Sequence, residues 1–164
     1  MTKCKSFKPS INSNSRILIL GSMPGIKSLE EQQYYAHPQN RFWKVMSKLC
    51  NIDLISLNYQ DRLKILLDNG FALWDTIGIC ERKGSLDSNI QKEEPNKIKT
   101  LLIKYSKIQT ICLNGNKSFS SFKKYFPDIL LNPKYKIYHM PSTSPANARY
   151  TLDDLVNEWK KIII

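Results

Sequence analysis

The chain lacks paired cysteines. Its four, Cys4, Cys50, Cys80 and Cys112, are scattered, and no two lie within four residues of one another. That spacing excludes a Cys-x-x-Cys redox pair and a zinc ribbon, and it leaves no clustered thiolates for an iron–sulfur centre. Free thiols in a reducing compartment are expected, with Cys112 in the core. There are only two histidines, His37 and His139, far apart and without metal-ligand spacing, so neither is expected to hold a metal. No apolar run approaches the roughly 18 residues that a membrane span needs. The first fifteen residues are rich in Lys, Ser and Asn and have no apolar core, so no secretory signal is expected. Also missing are the Gly-x-x-x-x-Gly-Lys phosphate loop, the Gly-x-Gly-x-x-Gly dinucleotide fingerprint and the Gly-x-Ser-x-Gly nucleophile elbow. A soluble cytoplasmic protein with no metal or organic cofactor is the expectation.

What is present is a chain of 164 residues, 41% of them hydrophobic, enough for one domain with its own core. Its formal net charge is +11, from 25 basic and 14 acidic side chains. Excess positive charge on a globular domain points to a polyanion, with DNA or RNA ahead of a membrane, although excess lysine also serves solubility alone. A monomer is expected.

Residues 1–15 read as an irregular lead-in to a single domain over 16–164. Ile17 to Leu20 is a short apolar run of the buried-strand type, and Phe71 to Ile77, Ile108 to Leu113 and Lys136 to Met140 read as further strands. Arg41 to Leu49, with Phe42, Val45, Met46 and Leu49 on one face, predicts a helix. Helices are also predicted over Asp61 to Asp68, Pro95 to Tyr105, from Asn114-Gly115 to Tyr125, and from an N-cap at Thr151 to Lys161. The polar stretch Glu81 to Glu94 reads as a long loop. Strands alternating with helices imply an α/β fold, a three-layer α/β/α sandwich around a central, mostly parallel four-stranded sheet.

Ligands of such sheets bind beyond the carboxyl ends of the strands. Those ends carry the unusual residues: Gly21-Ser22-Met23-Pro24-Gly25, Trp74-Asp75, Asn114-Gly115 and Pro141-Ser142-Thr143-Ser144-Pro145. A tight Gly/Pro turn after a strand exposes backbone N–H groups to a ligand. Tyr34 and Tyr35 are either core aromatics or a stacking surface for a flipped base. Asn40, just before a helix, is either its N-cap or a contact to ligand or water. Asn114 is either turn chemistry or an amide that reads a base edge. Asp75 either orients water or caps a loop. The Ser-Thr-Ser run is either a hydroxyl-rich turn or a grip on DNA phosphates.

GSMPG (21–25), YYAHPQNRFW (34–43), LWDTIGICERKGSLDSNI (73–90), LNG (113–115) and PSTSPANA (141–148) together resemble the uracil-DNA glycosylase superfamily. They resemble most its hypoxanthine-DNA (deoxyinosine) glycosylase branch. They span about 130 residues in the expected order. The mismatch-specific uracil/thymine branch is similar through AHPQNRFW but holds its water with an Asn in the first turn, where this chain has Met23. The uracil-specific enzymes carry Asp in that turn and a His before the second loop, where this chain has Met140.

The resemblance implies a monofunctional DNA glycosylase acting on DNA that contains a deaminated base. Asn40 becomes the main catalytic residue, with Asn114 assisting. Tyr35 is the stacking ring, and Gly21, Ser22, Met23 and Phe42 contact the base. Pro24, Gly25, Ser142, Thr143, Ser144 and Pro145 contact the DNA backbone. The motifs contain no lysine nucleophile, so an abasic site left uncut is the expected product. A uracil/thymine mismatch or broad deaminated-base glycosylase and, from another class, a non-catalytic DNA-binding module remain as alternatives.

Overall fold

The structure is a computed structural model that describes residues 2–163; Met1 and Ile164, at the outer ends of the two expected segments, lie outside the described residues. In chain order the elements are β1 (Thr2–Lys5), β2 (Ile17–Gly21), α1 (Ile26–Glu31), α2 (Phe42–Cys50), α3 (Tyr59–Asp68), β3 (Phe71–Asp75) and β4 (Ile77–Arg82). They continue with β5 (Gln91–Pro95), α4 (Ile98–Lys104), β6 (Thr110–Asn114), α5 (Asn116–Tyr125), α6 (Pro127–Leu130), β7 (Lys136–Met140) and α7 (Leu152–Trp159).

The central sheet has four strands in the order β3-β2-β6-β7, and every neighbouring pair is parallel. Successive side chains along a strand face opposite layers. Leu18, Leu20, Ile111 and Leu113 therefore pack with Ile98 and Leu102 of α4 and Phe122 of α5. Ile19, Leu73 and Cys112 pack on the other face with Phe42 and Met46 of α2, Leu66 of α3 and Trp159 of α7. Both faces are covered, which is why these strands read as continuous apolar runs rather than alternating ones. Each buried aliphatic side chain contributes about 1.5–3 kcal/mol relative to exposure. The expected α/β/α sandwich is observed.

A second sheet was not legible in the sequence. It has three strands in the order β1-β4-β5, antiparallel throughout. Residues 2–5, expected within an irregular lead-in, pair with β4 in the register Cys4↔Cys80. The expected loop over 81–94 is in fact the end of β4, a 3-10 turn at Asp87–Asn89 and most of β5. Strand β5 (QKEEP) is an edge strand with no buried side chain, so it has no apolar alternation to detect. Pro95 ends this strand rather than opening a helix, as an edge position permits, and α4 starts at Ile98. The strand expected over 71–77 breaks at Thr76, where the chain leaves one sheet for the other. Cys112 is buried as expected, and so are Cys4 and Cys80; all are free thiols. Among the described residues no helix is long and apolar enough to cross a membrane.

The closing helix α7 begins at the expected N-cap. Thr151 Oγ1 accepts from Asp154 N at 3.1 Å, and Asp154 Oδ2 accepts from Thr151 N at 3.0 Å, a reciprocal capping box. Trp159 of this helix donates from Nε1 to the Pro141 carbonyl at 3.1 Å, tying the helix to the rim. Thr151→Ala should lower unfolding free energy by about 1 kcal/mol in urea denaturation; no change would mean that packing of α7 sets its own N-terminus.

Candidate active site

The carboxyl ends of the parallel strands open into a cleft of about 770 Å³. Its first wall is the turn after β2. Gly21 is required there by close approach: a Cβ would sit 2.6 Å from Asp75 Oδ1 and 3.2 Å from the Tyr35 hydroxyl. The carbonyls of Gly21 and Ser22 accept from Thr76 N and Ile77 N at 2.8 and 3.0 Å, so the chain crossing between sheets holds the turn. The buried Arg82 donates from Nη2 to the Pro24 carbonyl, while its Nε and Nη1 have no partner among the described residues. Met23 lines the cleft and packs with Cys4, Ile77 and Cys80. Above the turn, Ser22 Oγ donates to Asp87 Oδ1 at 2.6 Å, and Ser85 Oγ accepts from Ile26 N at 2.9 Å. These contacts bring residues 85–88 to the cleft.

The second wall is aromatic. Tyr35 is at φ +55, a left-handed conformation that a tyrosine rarely adopts. Its ring stacks on Phe42 at 3.9 Å between centroids and 19° between planes. Burial pushes its hydroxyl pKa up, so Tyr35 is neutral at ordinary pH. Phe42, expected at the base, has 0% exposure and does not line the cleft. It backs Tyr35 instead, because the first turn of α2 directs it into the core. Tyr34 follows the plainer reading: it is buried, its hydroxyl donates to the Lys8 carbonyl at 2.9 Å, and Phe7 meets its ring edge-on.

Asn40 lines the cleft and also serves the helix start. Its Oδ1 accepts from Phe42 N at 2.9 Å, and its Nδ2 donates to no described residue. This bond fixes which end of the amide is oxygen. An amide oxygen has a second lone pair, so one acceptor site and two N–H donors stay available.

The next residue, Arg41, joins this segment to the Ser/Thr loop. Its backbone N–H donates to the Thr143 carbonyl at 3.0 Å. Its guanidinium donates to the carbonyls of Asn147 at 2.9 Å, Ser144 at 3.3 Å and Tyr150. Asn114 makes a second tie. Its Nδ2 donates to Thr143 Oγ1 at 3.1 Å and to the Tyr35 hydroxyl at 3.4 Å, and its Oδ1 accepts from Thr143 N at 3.1 Å. Gly115, at φ +94, lets this strand end approach closely: a Cβ there would lie 3.0 Å from Ser142 Cβ.

The expected loop hydroxyls are used largely within the loop. Ser142 Oγ accepts from Ser144 N at 3.1 Å, and Ser144 Oγ accepts from Ala146 N at 3.2 Å. A hydroxyl that accepts still has its own hydrogen to donate. Thr143, expected at a phosphate, is fully buried and bound to Asn114, so it holds the loop rather than a ligand.

The structure thus brings Gly21 through Gly25, Tyr35, Asn40, Asn114 and Ser142 through Pro145 to one cleft and excludes Phe42. Sequence reasoning missed Arg41 as a strut, because nothing local shows that its partners lie more than a hundred residues away. It also missed Lys27 and Arg149, cations of the cleft lining that no motif marks. His37 lies at the rim with Nδ1 accepting from Gln39 N, whereas His139 stacks on Phe119, and the two are not brought together. Among the described residues no three His, Cys, Asp or Glu side chains form a metal-binding group.

Asp75, at the end of β3, lines the cleft and is 4% exposed. Burial, and then the negative charge of Asp87, push its carboxyl up to about 8, which Arg82 offsets in part. Its Oδ2 has no hydrogen-bond partner among the described residues.

A family model described as "Uracil DNA glycosylase superfamily" matches residues 9–163. With nearly the whole chain matched, the protein belongs to the uracil DNA glycosylase superfamily. It is similar to a protein called hypoxanthine DNA glycosylase in Methanosarcina barkeri, 39% identical over 147 residues and 90% of each chain. A protein of the same name in Methanosarcina acetivorans is 35% identical over 158 residues and 96% of each. A solution NMR structure from M. acetivorans, assigned provisionally as a uracil DNA glycosylase, superposes with a TM-score of 0.83. That structure is 30% identical and covers 99% of this chain and 100% of its own. The resemblance to this superfamily is therefore borne out.

Two outcomes test this geometry. Arg41→Ala leaves three loop carbonyls without their donor and should cost about 1.5–3 kcal/mol of stability, with faster amide exchange across 144–150. Unchanged exchange there would show that Asn114 holds the loop alone. For Asp75, the folded pKa is raised from 3.8 to about 8, so the folded state loses stability as pH rises through that window. Asp75→Asn cannot ionise, and its stability relative to wild type should climb by at most about 1.4 kcal/mol per pH unit between those limits. Parallel stability–pH curves would show that Asp75 is ionised in the folded protein.

Proposed function

We propose that this chain is a monofunctional DNA glycosylase that removes a deaminated base, foremost hypoxanthine from deoxyinosine, in base excision repair. The observation that carries the proposal is the pairing of the backed Tyr35 ring with the part-committed Asn40 amide in one cleft. Membership of the superfamily supplies the reaction class, and relatives named hypoxanthine DNA glycosylase over 90% or more of the chain support the substrate.

The damaged nucleotide is extruded from the stack, at a cost of a few kcal/mol that is smaller for a weak pair. Its base lies against Tyr35. The C1′–N9 bond breaks with its electron pair going to the purine, and the sugar gains oxocarbenium character. Asn40 Oδ1 uses its second lone pair to orient the water that adds to C1′. That water's proton leaves to solvent or to the departing base. An amide is a weak base, so most acceleration comes from preorganised donors at the leaving base and from nearby DNA phosphates. Asn114 acts by setting Thr143 and the Tyr35 hydroxyl. Backbone contacts fall to Pro24, Gly25, the Ser142 and Ser144 hydroxyls, Pro145, Lys27 and Arg149 at the cleft. Met23 occupies the turn position where the mismatch-specific branch keeps an amide, which supports hypoxanthine over uracil.

Single-turnover cleavage of matched oligonucleotides carrying one deoxyinosine, deoxyuridine or deoxyxanthosine tests the reading, with alkali added to cut abasic sites. Strong excision of hypoxanthine and little of uracil is expected, with no strand cleavage before alkali. Asn40→Ala should slow hypoxanthine release by about 10² or more with little change in DNA affinity. Binding without turnover on every substrate would make the protein a DNA-binding module instead.

A further inference from the structure

We propose that Asp75 works as a neutral carboxylic acid that reads the base, donating a hydrogen bond to the carbonyl oxygen that deamination creates. This rests on the glycosylase reading above and adds the device that tells a lesion from its parent base.

The position comes first. Asp75 ends β3 beside β2, in register with Gly21, and lines the same cleft as Tyr35 and Asn40. Its Oδ1 lies over Gly21, which has no Cβ to fill that space, and the Tyr35 hydroxyl borders the same spot. Its Oδ2 is enclosed and has no hydrogen-bond partner among the described residues.

The surroundings suit the neutral form. Asp87 and Arg82 are the titratable groups that act on Asp75, and Tyr35, Tyr34 and Tyr59 feel its charge in turn. Among the described residues no cation comes within ion-pair distance of it. A carboxylate with one enclosed, unbonded oxygen is expensive, while the neutral acid can leave that oxygen as a carbonyl and carry the proton on the other. The raised pKa of about 8 agrees with this geometry.

The chemistry then follows from donors and acceptors. Deamination replaces an exocyclic amino group, a donor, with a carbonyl, an acceptor: adenine becomes hypoxanthine and cytosine becomes uracil. An ionised Asp75 only accepts, so it would favour the amino group of an undamaged base and repel the new carbonyl. A protonated Asp75 donates from Oδ1, so it favours the lesion and faces adenine donor to donor. Sites built around one such hydrogen bond discriminate strongly, because the wrong partner leaves a buried polar group unpaired. During hydrolysis Asp75 keeps its proton. The pair from the broken C1′–N9 bond spreads over the purine, the charge on its carbonyl oxygen rises, and the hydrogen bond strengthens as the bond breaks. Water supplies the oxygen that joins C1′ and loses its proton to solvent.

The test is single-turnover cleavage of a deoxyinosine oligonucleotide from pH 6 to 9.5 by wild type, Asp75→Asn and Asp75→Ala, with DNA affinity measured at each pH. The wild-type rate should fall tenfold per unit above about 8. Asp75→Asn keeps a permanent amide donor, so it should lose that alkaline limb and cleave within about tenfold of wild type at pH 7, an order set by one hydrogen bond. Asp75→Ala should be slower than Asp75→Asn at every pH. A wild-type rate that stays flat to pH 9.5, or the same limb in Asp75→Asn, overturns this inference and leaves the glycosylase reading intact. No cleavage by wild type at any pH overturns both.

Discussion

The cleft depends on the clamp that Arg41 closes. Its walls include four stretches of chain distant in sequence: 21–25, 35–41, 114–115 and 141–150. No strand ladder joins the first two of these to the last. The loop after β7 presents backbone carbonyls that need donors, and one guanidinium supplies Ser144, Asn147 and Tyr150 together. Arginine suits this because its planar fork donates in several fixed directions at once. The adjacent Asn40 is placed by the same backbone. Its amide cannot move without disturbing Phe42 N and, one residue away, the Arg41–Thr143 bond. Asn114 and Thr143 close the circuit from the opposite side, so 35–41, 114–115 and 141–150 form one hydrogen-bonded network, while Thr76, Ile77 and Arg82 hold the 21–25 turn.

The costs of this site collect at the two ends of the strand that carries the chain from the parallel sheet into the antiparallel one. Among the described residues, the side chains with enclosed, unpartnered polar atoms are Asp75, which ends β3 just before that crossing, and Arg82, which ends β4. Each is kept for what it positions. Arg82 holds the Pro24 carbonyl and so the shape of the Gly21–Gly25 turn. Asp75 occupies the gap that Gly21 leaves. Local rules of polar satisfaction tend to fail at functional sites, and here they fail beneath the turn that any ligand of the cleft must meet.

The layered fold was legible because burial on both faces leaves unbroken apolar runs such as Ile17 to Leu20, and because Thr151 announces its helix with a cap. The second sheet was not, because β5 buries nothing and β1 lies in a stretch of mixed polarity. That Gly21, Tyr35, Asn40 and Asn114 share one cleft was legible, because each stands at or near the carboxyl end of a strand with a residue type that a plain core does not need. Site residues were misjudged where the residue type suited either side of a wall. Phe42 stands behind Tyr35 rather than beside it, and Thr143 faces inward between two serines that do not. Which way a side chain faces in an irregular loop follows from contacts such as Arg41 to Tyr150, and no local spacing encodes those.

That self-held loop bears on how the protein would grip DNA. A loop whose hydroxyls waited unpaired for phosphates would have to be ordered on binding, and the ordering would weaken affinity. Here Ser142 and Ser144 already accept from backbone N–H groups of their own loop, so their oxygens are fixed while their hydrogens stay available. Asn147 adds a bond from Nδ2 to the Ser142 carbonyl at 3.0 Å. The same contacts that make the stretch look like an ordinary hydroxyl-rich turn therefore preorganise it as a donor surface. Under the proposed function, a hydroxyl-rich turn and a grip on phosphate are one arrangement at Pro141 through Pro145, a loop satisfied internally that keeps its hydroxyl hydrogens to donate.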